Sequence, residues 1–65
     1  SRLDSIASTL SKKIEESIAE HKEYISSGAV ENYEDYAGLC GVIKGLRHCL
    51  MELKSVSKEI DSDLN

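Results

Sequence analysis

Proline, tryptophan and phenylalanine are absent from this chain of 65 residues, and three tyrosines are its only aromatics. Without proline nothing forces a break in a long helix. With so few aromatic and so many charged residues, the composition suits helices better than a sandwich or barrel. Long apolar runs are missing too. The longest uncharged stretch, Tyr36 to Ile43, is far too short to span a bilayer. No basic segment followed by an apolar one marks a secretory signal, so no membrane partner is expected. At this length a single core is marginal, and small proteins of this kind usually add disulfides, a metal or a partner chain.

Cysteine is scarce, and its spacing is unhelpful for bridging. Cys40 and Cys49 fall in one expected helix, on opposite sides and about 13 Å apart along its axis. They cannot form a disulfide with each other. They read as small, buried core thiols in a reducing compartment. Positive charge is in deficit, with 8 Lys and Arg against 12 Asp and Glu for a net charge of −4. Such a chain has too thin a basic footprint for extended nucleic acid.

Catalytic and metal signatures are missing as well. The segment Gly38 to Gly45 has no Gly-Lys-Ser/Thr and is no phosphate-binding loop. His21 and His48 lie on different expected helices with no carboxylate to orient them. No serine has a nucleophile context, and no Cys or His spacing supports zinc. The chain therefore reads as non-enzymatic, with no cofactor and no metal. His21 reads as a hydrogen-bonded packing residue.

What remains is strong helical periodicity. Ser1 and Asp4 offer a capping-box-like start. Leu3, Ile6, Ala7, Leu10, Ile14, Ile18 and Ile25 then recur at three- and four-residue steps, with Ser17 and His21 on the same face. Ser26, Ser27 and Gly28 stop this helix, with Gly28 suited to a left-handed position. Asn32 is a good N-cap for a second helix, and Glu34 and Asp35 suit its first turn. Tyr36, Leu39, Ile43, Leu46, Leu50, Leu53, Ser57, Ile60 and Leu64 follow as a heptad seam broken only by Ser57. The spacing predicts one all-α domain, an antiparallel two-helix hairpin. Its helices cover about residues 2–26 and 33–62, with a turn over 27–32.

Two further stripes share the second helix. Gly38, Gly41, Val42, Gly45, Cys49 and Val56 lie roughly opposite the seam. Each glycine weakens a helix by about 1 kcal/mol relative to alanine, yet small residues let two backbones approach closely. This stripe is expected to be a second packing face, an oligomer interface that assembles the hairpin into a helical-bundle homo-oligomer or a seat for a partner helix. The other reading is an exposed side on which the glycines merely weaken the helix. Between the two stripes lie Tyr33, Lys44, Arg47, Lys54 and Lys58, with His48 nearer the glycine edge. One reading is a ligand site in which these cations hold a phosphate or carboxylate and Tyr33 stacks on a flat ring. The other has the same cations pair with Glu15, Glu16, Glu20 and Glu23 across the hairpin or a dimer contact.

The stretch SGAVENYEDYAGLCGVIKGLRHCL resembles a pattern in small helical proteins of tailed bacteriophages. Its carriers here are Tyr36, Leu39, Gly41, Ile43, Gly45 and Leu46, over about a third of the chain. The resemblance implies a viral protein acting in the host cytoplasm, or carried in the virion. It implies a non-enzymatic accessory role. One such role is a counter-defence factor that oligomerises and sequesters a small phosphate-containing nucleotide used as an immune signal. The alternatives are a minor virion or assembly protein and an inhibitor that docks directly on a host protein.

Overall fold

The structure, a computed structural model, describes residues 2–64. It is a hairpin of two helices, α1 (Arg2–Ser26) and α2 (Tyr33–Leu64), and the bounds match the expected ones to within two residues. Ser1, the expected first cap, lies outside the described residues, and of Asp63 and Leu64 only the backbone is described.

The turn follows the local chemistry closely. The Ser27 hydroxyl donates back to the Tyr24 carbonyl at 2.7 Å, an acceptor near the helix end. The Ser26 hydroxyl donates at 3.1 Å to the Glu23 carbonyl, which also accepts the Ser27 amide at 2.9 Å. Gly28 then takes φ +85°, a left-handed conformation that costs other residues about 1–2 kcal/mol. Asn32 restarts the helix. Its Oδ1 accepts the Asp35 amide at 2.9 Å while its carbonyl accepts the Tyr36 amide at 3.1 Å, as an N-cap should.

The heptad seam of α2 meets α1 along its length. Ile43, only 7 % exposed, is the one buried residue among those described, and Leu39, Leu46, Leu50, Leu53, Ser57 and Ile60 are half-buried around it. Tyr36, expected in the seam, is instead exposed, with its ring 6.2 Å from that of Tyr33. It stands at the turn end, where α1 has already stopped and nothing lies over it.

The apolar stripe of α1 divides in a way its periodicity does not reveal. Ala7, Ser11, Ile14, Ile18, His21 and Ile25 are half-buried. His21 donates from Nδ1 to the Ser17 carbonyl at 2.7 Å, the packing role expected of it. Leu3, Ile6 and Leu10, read as part of the same stripe, are 45–58 % exposed. They stand to one side of the contact line, because a stripe wide enough for two neighbours has only one here.

Candidate functional site

The two flanks of the hairpin differ in chemistry. On one flank, a nearly apolar groove is lined by Leu3, Ile6 and Leu10 of α1 and Leu53, Val56 and Ile60 of α2. Towards the turn the same flank continues through Tyr24, Leu39, Gly38 and Val42, rimmed by Glu31, Glu34 and Asp35. The expected interface residues belong to this flank by helical spacing: Val42, Cys49 and Val56 recur every seven residues on its edge, with Gly38 and Gly45 alongside and Gly41 further out. A side chain added at Gly38, Gly41 or Gly45 would meet nothing within 4 Å. Within one chain, therefore, no close approach explains these glycines.

Both cysteines are free, but the expectation that they are buried fails. Cys40 is half-buried and Cys49 is exposed, because Cys49 stands on the flank that α1 leaves open. Cys40 has a local partner. A hydrogen bond with Cys40 raises the Tyr36 phenol above its ordinary value near 10.

The other flank is polar. Lys54 and Lys58 rim a groove of about 590 Å³ together with Ser8, Ser11 and Ser57, and Asp4 and Asp61 close its far end. Hydrogen bonding with Asp4 beside it pushes the Asp61 carboxyl above its ordinary value. Arg47 stands on the same flank, seven residues before Lys54. Lys44, His48 and the 80 % exposed Tyr33 sit further out on the back of α2. The six expected ligand residues form a line rather than a cluster, since Tyr33 and Lys58 are about 37 Å apart along the helix. Only Lys54 and Lys58 share a groove.

Pairing with α1 accounts for one of these cations. Lys54 Nζ lies 3.9 Å from Glu15, with both side chains well exposed, a contact worth little in water. Among the described residues Lys44, Arg47 and Lys58 have no carboxylate partner. The contribution of α1 was not legible as part of a site: Ser8 and Ser11 carry no motif, and only the fold brings them opposite Lys54 and Lys58.

No protein-family model, curated protein or solved structure matches this chain. Among the described residues no helix is long and apolar enough to cross a membrane.

Proposed function

We propose that this chain is a non-enzymatic binding protein that assembles with copies of itself through its apolar flank and captures a small phosphate-bearing ligand on its basic flank. The observation that carries the reading is this separation. Arg47 and Lys58, without a carboxylate partner among the described residues, and Lys54, only loosely paired with Glu15, gather on one flank of an acidic protein. They stand beside a groove that three serines line and that Asp4 and Asp61 close at its far end. Phosphate oxygens accept from lysine ammonium groups and from hydroxyls alike. Lys54 and Lys58 are the groove's own ligands. Arg47 extends the positive charge along the flank. Lys44, His48 and Tyr33 face outward, where a neighbouring copy or a ligand's base can reach them. In the phage setting implied by the Tyr36–Leu46 segment, such a protein would sequester a nucleotide immune signal in the host cytoplasm.

Calorimetry against a panel of cyclic dinucleotides and cyclic ADP-ribose isomers tests the ligand. The expected result is a binding heat with one member, lost in the Lys54→Ala, Lys58→Ala double variant. Silence across the panel, or binding indifferent to both lysines, overturns the nucleotide assignment. The apolar flank favours a second reading, docking on another protein. Detection of the chain in purified virions by mass spectrometry would move it to the virion class.

A further inference from the structure

The single hairpin exposes more surface than a chain of its mass should. Its accessible area is 5178 Å² at 7.2 kDa, against about 4,100 Å² for a compact monomer of that mass. The chain measures 50 × 15 × 11 Å, so one flank offers roughly 750 Å² of projected area, close to the ~800 Å² each partner contributes to a standard interface. Six of the large exposed apolar residues (Leu3, Ile6, Leu10, Tyr24, Val42 and Val56) stand on the apolar flank.

Charge at the edges of that flank says how a second copy sits. Along the α1 edge, Arg2 and Lys13 stand beside Ile6 and Leu10. Along the α2 edge, Glu52 and Glu59 each follow three residues after the apolar Cys49 and Val56. Levels in the hairpin are fixed by the residues that meet across it: Leu3 shares a groove with Ile60 and Leu10 with Leu53, while Tyr24 shares one with Leu39. Arg2 is therefore level with Glu59, and Lys13 lies within about one turn of Glu52. All four belong to the same half of the molecule, with cations on one edge and acids on the other. Among the described residues none of the four has an ion-pair partner.

We infer that the apolar flank is covered by a second copy of this chain, related by a two-fold axis parallel to the helices. This deepens the self-assembly reading above and rests on it. Such a rotation keeps every level, turns the flanks face to face and lays α1 of one copy antiparallel on α2 of the other. Arg2 then meets the partner's Glu59, and Lys13 meets the partner's Glu52. Ile6 and Leu10 pack on the partner's Val56, while Tyr24 lies over the open space at the partner's Gly38. The alternative rotation, which reverses the ends, brings Lys13 of the two copies near each other. It also places Cys49 on the axis beside its own copy. The parallel arrangement holds the two Cys49 residues on diagonally opposed helices, too far apart to bridge.

Sedimentation and cysteine cross-linking test this. The wild-type chain is expected to dimerise, or to form a multiple of dimers. Lys13→Glu and Glu52→Lys are each expected to weaken dimerisation at least several-fold, and the double exchange to restore it, with helicity unchanged by circular dichroism. In a background with Cys40 and Cys49 replaced by serine, mixed Ile6→Cys and Val56→Cys chains should form a disulfide-linked heterodimer. A wild-type monomer at micromolar concentration overturns both the assembly and its geometry. A dimer that oxidises through Cys49, or that ignores both charge reversals, overturns the parallel geometry and leaves self-assembly standing.

Discussion

At the scale of single residues, the backbone around the turn is the most tightly determined part of the molecule. Asn32 caps α2 by accepting the Asp35 backbone amide at its Oδ1, and its replacement by alanine should cost about 1 kcal/mol, read as a lower midpoint in thermal or urea unfolding. Gly28 holds a positive φ, so Gly28→Ala should destabilise by a similar amount, with the loss confined to the hairpin's closure. The glycines of α2 behave in the opposite way. An added side chain at Gly45 meets nothing in one chain, so Gly45→Leu should raise the helicity of the isolated hairpin, toward the ~1 kcal/mol that separates glycine from good helix formers. The same change should break assembly, because the added bulk falls on the flank a partner covers. Circular dichroism and light scattering on one sample separate the two effects. A variant that still assembles would take these glycines out of any interface.

At the scale of elements, two carboxyl groups, Asp4 and Asp61, stand in one groove at the open end of the hairpin. The Asp61 pKa is raised through its hydrogen bond with Asp4, and that sign fixes the direction of the pH dependence. A group with a higher pKa in the folded state contributes its stabilisation at low pH and loses it as pH rises through the raised value. The open end should therefore loosen as the pH climbs from the acid range towards neutrality. Asp61→Asn, whose amide donates at every pH, should remove that dependence. Amide hydrogen exchange in the last turns of α2, compared between the two proteins across pH, checks this. Both helices and their turn were legible because caps and periodicity act within a few residues. The position of Leu3, Ile6 and Leu10 was not. Three- and four-residue spacing marks the width of an apolar face, and only the partner's position decides which part of it is covered. The polar groove was equally hidden, since Ser8 and Ser11 acquire meaning only opposite Lys54 and Lys58.

At the scale of the whole molecule, a radius of gyration of 15.2 Å stands against about 10.7 Å for a globular chain of this length. One buried side chain among the described residues, Ile43, is a slender basis for a stable monomer. Stability should instead rise with protein concentration, as it does whenever association is linked to folding. The thermal midpoint is expected to climb over a hundred-fold range of concentration, and a midpoint that stays constant would describe a self-sufficient hairpin. The six-residue connection between Ser26 and Tyr33 also sets an order in time. Contacts near the turn close the shortest loops, so they carry the least entropy cost and form first. Leu39 and Ile43 are therefore expected to meet α1 before Leu53 and Ile60 do, with the chain zipping from the turn towards its two ends. The groove of Leu3, Leu10 and Val56 is thus the last part of the hairpin to be completed, and it is the part a second copy finds still open.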